Sequence, residues 1–312
     1  MSEGQVGVQG EFAGMPRRLF RASPSKLLAW VDCPRRYRLQ YLDRPAPVAR
    51  PQRAHTSLGV AVHNALRDWW DLPVPERTPA AGAELVRTSW IDVGFRDAGH
   101  SQAWRRRSQA DVTAYLDDVD PATQPLGIER TVSLKTGAIA MSGRIDRLDE
   151  RGSELVVVDY KTSRGVPTDD DARTSLPMAL YAAAAWKMFR RRTTRVELHH
   201  VPSGTVAAHE HTPESLQRKL AEAESIAADA RRAEDDYAQF GIDSGRFPAR
   251  VGPLCQWCDF RAHCPAGQAA GPEKSDWAAL EDDPQAATAP ERSPAPADAE
   301  RPGPEVLSQV DV

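Results

Sequence analysis

Gly143-Arg-Ile-Asp146-Arg-Leu-Asp-Glu-Arg-Gly152-Ser-Glu-Leu-Val-Val-Val-Asp159-Tyr160-Lys161-Thr162 decides the fold. Apolar Ile145 and Leu148 come first, Arg151, Gly152 and Ser153 break the run, and Leu155 to Val158 is continuous and mostly β-branched, which predicts two strands and a tight turn. Strand residues two apart face the same way, so Asp159 and Lys161 project together where the buried run ends. Asp146, on the preceding strand, is the natural second carboxylate. Two acids at one opening suit a hard divalent cation, magnesium or manganese. Such a metal polarises a phosphoryl oxygen and lowers the pKa of a bound water, while a lysine orients that water or answers the pentavalent charge. This is the chemistry of phosphodiester hydrolysis. Taken alone, Asp-x-Lys is more often a surface ion pair at a strand end, so the rest of the chain has to carry the reading.

Gly143-x-x-Asp146 followed by an apolar strand ending in Asp159-Tyr160-Lys161 resembles the PD-(D/E)XK nuclease superfamily, in particular its RecB-like exonuclease branch. The resemblance implies an α/β, restriction-endonuclease-like core, a mixed β-sheet flanked by helices. It implies metal-dependent hydrolysis of DNA, exonucleolytic and on single strands, in repair or recombination, with any unwinding left to a helicase partner. His63, four residues after Gly59 on a helix whose apolar face includes Val62, Leu66 and Trp69, resembles the family's Gly-x-x-x-His element. The implied metal ligands are then His63, Asp146, Asp159 and the Tyr160 carbonyl, with Lys161 orienting water. An imidazole beside two carboxylates favours manganese over magnesium. Glu129 resembles the acid that often precedes the metal-binding aspartate, and its part is left open. Tyr181 resembles the tyrosine of the family's Gln-x-x-x-Tyr, but Pro177 stands where the glutamine belongs. That departure is the one feature favouring a non-catalytic DNA-binding protein of the same fold.

The chain has four cysteines, Cys33 and then Cys255, Cys258 and Cys264, spaced Cys-x2-Cys-x5-Cys. In a chain without export features they read as metal ligands and not as disulfides, and zinc and an iron-sulfur cluster both suit such thiolates. Cys33-Pro34-Arg35-Arg36-Tyr37, far ahead of the other three, resembles the single-plus-three arrangement of the iron-sulfur members of this group. It implies a four-iron four-sulfur cluster stapling the C-terminal segment to the first helices.

Composition sets the bounds. With 312 residues, 41% apolar, the chain can bury a full core. It shows no apolar run of membrane-spanning length and no signal-peptide pattern, so a soluble cytoplasmic protein is expected. The net charge of −4 hides an asymmetry: residues 265–312 hold ten acids and three bases, −7, which leaves +3 on residues 1–264. Eight prolines and eleven alanines in those 48 residues predict an acidic, disordered tail from 266 to 312. Residues 1–20 are expected to be loose, and the nuclease domain to span 21–265. Helices are expected near Ala83 to Phe95, Gln102 to Leu116, Leu176 to Arg191 and Pro213 to Phe240. Arg190, Arg191, Arg192 and Arg195 suit either a helix C-terminus or the DNA path. His199, His200, His209 and His211 do not form a metal set, because alternation places neighbours on opposite faces.

Overall fold

The computed structural model describes residues 19–281. The elements run β1 (Phe20–Ala22), α1 (Pro24–Asp32), α2 (Pro34–Tyr41), α3 (Ala54–Asp71), α4 (Pro79–Thr88), α5 (Ala98–Asp117), β2 (Gly127–Lys135), β3 (Ile139–Arg151), β4 (Glu154–Lys161), α6 (Asp169–Thr174), α7 (Leu176–Phe189), β5 (Arg195–His200), β6 (Thr205–Glu210), α8 (Pro213–Phe240) and α9 (Pro265–Ala269). The expected hairpin is β3–β4, closed at Arg151↔Glu154 with Gly152 in the left-handed conformation its turn requires.

The six strands form one mixed sheet with helices on both faces. β4 pairs parallel with β5 and β1 parallel with β3, while β2–β3, β3–β4 and β5–β6 are antiparallel. One apolar layer packs α1, α2, α7 and α8 against the sheet through Leu27, Tyr37, Ala182 and Ala227. The other packs α3, α4 and α5 against it through Leu66, Trp69, Val86 and Val112. Among the described residues no helix is long and apolar enough to cross a membrane.

The sheet is split where the decisive stretch predicts the site. β2 covers one edge of β3 from Ala140 to Leu148, so β1 and β4 share the other edge, β1 at residues 139–141 and β4 at 147–151. Between them the β3 edge is open. Ladder pairing of β3 with β4 stops at Arg147↔Val158, and the next residues inward are Asp146 and Asp159. Strand alternation slips at this point as well. Ile145 and Leu148, three apart, pack in the same core, while Arg147 faces the other way. On β2, Ile128 joins one core and Val132 the other, with Glu129 between them at φ 48°.

Several expected boundaries move for local reasons. α4 starts earlier because Thr78 caps it ahead of Pro79, and α5 starts at Ala98 because Asp97 accepts the His100 N–H. α7 ends at Phe189, where Arg190 turns left-handed. The expectation of disorder from residue 266 is corrected for residues 266–281. There α9 forms, and Leu280 buries its side chain against α3 and α5 while its carbonyl accepts from Trp104 Nε1 at 3.1 Å. One tryptophan and one leucine, Trp277 and Leu280, anchor a stretch whose average composition is that of a solvated chain. The remainder of the expected tail, 282–312, lies outside the described residues, as do residues 1–18 of the expected loose N-terminus; Phe20 already sits in β1.

Candidate active site

α3 brings His63 to the open edge because Gly59 lets the helix approach the end of β4: a Cβ at Gly59 would sit 3.3 Å from Thr162 Oγ1. His63 Nε2 lies 3.1 Å from the Tyr160 carbonyl, which accepts its proton, and Nδ1 lies 3.4 Å from Asp146 Oδ2. The Tyr160 N–H, which would continue the β3–β4 ladder, donates instead to Asp146 Oδ2 at 2.9 Å. The backbone of Tyr160 therefore ties the histidine and the aspartate together at the point where the strands part.

Glu129 completes the set. Its neighbours pair Ile128↔Arg147 and Arg130↔Ile145, which places Glu129 across from Asp146. Ligand atoms of His63, Glu129 and Asp146 all lie within 4.8 Å of one another. A left-handed glutamate inside a strand costs on the order of 1 kcal/mol, and such strain concentrates at functional sites. Sequence reasoning left Glu129 without a role. Its place across from Asp146 is the missing signal, and it needs the register of β2, which pattern alone does not fix.

Asp159 and Lys161 project together as expected, with Lys161 Nζ 2.7 Å from Asp159 Oδ2. Asp159 stands beside the three-residue set and couples to it by charge: burial raises its pKa, Lys161 opposes this, and Asp146 adds to it. For His63, burial lowers the pKa, but the hydrogen bond to Asp146 and the charges of Asp146, Asp159 and Glu129 outweigh it, and the imidazole titrates above its ordinary range. A cation among these groups would relieve both the like charges and the extra proton.

Tyr181 reaches the same groove from α7. A Cβ on Gly143 would fall 2.5 Å from the Tyr181 ring, with Pro24 of α1 behind it, so Gly143 is the gap through which the tyrosine lies over β3. Burial and the charges of Asp159 and Asp146 push the phenol up to about 12, so it remains a neutral donor. Pro177 occupies the first turn of α7, a position proline tolerates, and it leaves Tyr181 in place. Ser23, Ser25, Asn64, Arg67 and Arg144 line the rest of the groove. Arg144 pairs with Glu129 at 2.7 Å.

The other basic candidates belong to the scaffold. Arg191 pairs with Glu150, Arg192 with Glu154 and Glu210, and Arg195 with Glu197, all at the opposite end of β4 and β5 from Lys161. The four histidines have separate surroundings: His199 bonds Tyr115 and Glu197, His200 bonds Ser203 and the Ser163 carbonyl, and His211 bonds Ser215 and packs edge-on against the His209 ring at 4.6 Å.

An imidazole and two carboxylates thus face a lysine-bearing strand end across a split sheet. A profile of the PD-(D/E)XK nuclease superfamily matches residues 21–265. The chain belongs to that superfamily. As a PD-(D/E)XK nuclease fold it is similar to a candidate exonuclease from Eubacterium rectale, with TM-score 0.47 and 10% identity over 78% of this chain and 88% of that one. It is also similar to the protein SSO0001, with TM-score 0.36 and 13% identity over 80% of this chain and 88% of that one. No curated protein sequence matches the chain.

Proposed function

We propose that this chain is a divalent-metal-dependent deoxyribonuclease of the RecB-like branch that trims single-stranded DNA exonucleolytically in repair or recombination. The observation that carries the reading is the convergence of His63, Glu129 and Asp146 within 4.8 Å, beside the Asp159–Lys161 pair. Those three side chains, with Asp159 and the Tyr160 carbonyl adjoining, fit manganese or magnesium by donor type. A bound cation would supply Lewis acidity toward a phosphoryl oxygen and a more acidic water. The chain's own residues do the remaining work. Lys161 presents an ammonium to the developing phosphorane charge, the neutral Tyr181 hydroxyl donates to a non-bridging oxygen, and Arg67 and Arg144 draw the strand into the groove. The test is degradation of end-labelled single-stranded DNA with manganese, magnesium or chelator, wild type against Asp146→Ala. Manganese-dependent loss of substrate in the wild type alone is the expected result. Binding without cleavage under every metal condition favours the non-catalytic DNA-binding reading.

A four-iron four-sulfur cluster on Cys33, Cys255, Cys258 and Cys264 is the second part of the proposal. All four are free thiols lining one cavity, together with Arg35, Arg36, Arg250 and Arg261, whose charges suit a thiolate-bound anion. The backbone N–H groups of Arg250 and Gly267 donate to Cys33 Sγ and Cys264 Sγ, each at 3.4 Å. Tetrahedral zinc, with Zn–S bonds of ~2.3 Å, brings sulfurs to about 3.8 Å apart. Four thiolates suit zinc as well as a cluster, and the iron and sulfide content separates the two. Anaerobically purified protein is expected to carry about four iron and four acid-labile sulfide per chain, and stoichiometric zinc without sulfide refutes the cluster.

A further inference from the structure

The residues that lead into α3 carry donors that the fold buries and leaves unmet. Arg53 is only 4% exposed; its Nη1 reaches the Lys274 carbonyl at 3.4 Å, while Nε and Nη2 have no hydrogen-bond partner. On either side of it, Gln52 Nε2 and His55 Nδ1 are likewise buried and unpartnered. Gln52, Arg53 and His55 line one cavity with Arg50 and Thr56, and Trp257 forms a wall, its ring 5.2 Å from the Arg53 guanidinium. Arg53 also occupies the N-cap of an 18-residue helix without capping it by a side-chain hydrogen bond. Native proteins rarely leave even one buried polar group unsatisfied, and the Arg53 and Gln52 donors around one cavity, with His55 Nδ1 able to donate in one of its tautomers, suit an acceptor that arrives from outside. A guanidinium fork, an amide and an imidazole together select an oxyanion, and phosphate matches them in shape and charge.

The acids on this wall define where such an anion rests. Arg50 pairs with both Glu273 and Asp276, so those carboxylates are answered by a cation other than Arg53. Asp259 also lines the cavity, and its charge opposes an anion. Burial, then the charge of Arg50, lowers the Arg53 pKa below the usual guanidinium range, as a cation wanting a counter-charge behaves.

The cavity adjoins the catalytic groove. Thr56 lines both, and His55, Gly59 and His63 recur every four residues along one face of α3. Eight residues at ~1.5 Å each put His55 about 12 Å along the axis from His63, a few nucleotides of strand at ~3.4 Å or more of rise each. We propose that Gln52, Arg53 and His55 form a phosphate subsite that grips the nucleic acid strand a few nucleotides from the bond being cut. This rests on the nuclease reading above.

The test uses the full chain with manganese and two substrates, a single strand of about 20 nucleotides and a dinucleotide too short to span the two sites. Arg53→Met is expected to raise KM for the long strand about tenfold with kcat unchanged. It should leave dinucleotide cleavage as in wild type and flatten the salt dependence of strand binding by about 0.7 in log–log slope. Asp259→Asn should shift the long-strand KM in the opposite direction. An Arg53→Met protein that melts like wild type yet keeps its KM and salt slope, or that loses both substrates equally, overturns the subsite. So does calorimetric uptake of inorganic phosphate at Arg53 with no change in strand KM. If Arg53→Met does not fold, Gln52→Leu and His55→Phe carry the same test, each expected to raise KM for the long strand only. A wild type that cuts neither substrate refutes the nuclease reading instead, and the salt slope of strand binding still decides the subsite.

Discussion

Replacing Lys161 by methionine is expected to lower kcat on single-stranded DNA by about 10²–10³ while manganese binds at least as tightly as to the wild type. The opposite signs follow from one contact. Lys161 Nζ lies 2.7 Å from Asp159 Oδ2, so before any cation arrives the ammonium is the counter-charge of a carboxylate that burial pushes toward its neutral form. A divalent ion entering beside His63, Glu129 and Asp146 competes with that ammonium for Asp159. Removing the ammonium ends the competition, and methionine keeps most of the stem's volume. During the reaction the demand reverses, because negative charge grows on the phosphoryl oxygens and an aimed cation is worth most there. The measurement is kcat on end-labelled strand together with calorimetric titration of manganese at neutral pH. A fall in kcat matched by an equal fall in manganese affinity would reduce Lys161 to a prop for Asp159. Activity within about threefold of wild type, a difference of well under 1 kcal/mol in barrier, would remove it from the chemistry altogether.

The difference between what the sequence showed of this site and what it hid has a physical cause. The hairpin was legible because an unbroken Leu155–Val158 run, a glycine turn and paired polar ends are local signals. The convergence of the other ligands was not local: His63 arrived through Gly-x-x-x-His, where the spacing alone holds the information, since Gly59 must pass Thr162 for His63 to meet Tyr160. Glu129 stayed hidden because its role depends on cross-strand register and on a backbone conformation that no residue type announces. The Gln52–Arg53–His55 cavity stayed hidden for the same kind of reason, since an arginine followed by an alanine-led helix reads as a solvated helix start. The buried polar chain behind the site, Arg147, Asp149, Tyr160, Tyr115, His199 and Glu197, was also invisible. In the sequence these charges look like the exposed half of alternating strands, and only the slip in alternation at Asp146 turns Arg147 inward.

That buried chain sets the last expectation: Arg147→Met should destabilise the fold by about 3–5 kcal/mol and weaken manganese binding as well. Arg147 pairs with Asp149, its Nη2 donating to Oδ2 at 3.0 Å and its Nε lying 2.9 Å from Oδ1, and its Nη1 donates to the Tyr160 hydroxyl at 3.2 Å. Trp70, on the helix that carries His63, donates to the same hydroxyl at 3.1 Å. Tyr160 thus holds β3 and α3 through its ring oxygen while its N–H holds Asp146 and its carbonyl holds His63. Losing the guanidinium strands a buried carboxylate, only partly answered by Arg151 at 3.2 Å, and loosens the residue on which the metal ligands converge. Tyr160→Phe separates the two effects: the ion pair survives, so stability should fall by only about 1 kcal/mol, yet manganese affinity should still drop. Acid behaviour supplies a control. Burial raises the Glu197 pKa, but hydrogen bonds from His199, Arg151 and Arg195 outweigh this and hold it below its unfolded value. Its contribution is therefore present above the ordinary glutamate pKa of about 4.3 and is lost as pH falls below it. Arg147 does not contact Glu197, so urea melts of the variant and the wild type should both lose this contribution below that pH, and any further difference between them reports on Asp149. An Arg147→Met protein within about 1 kcal/mol of wild type, with unchanged manganese affinity, would show that this chain only fills space beneath the sheet.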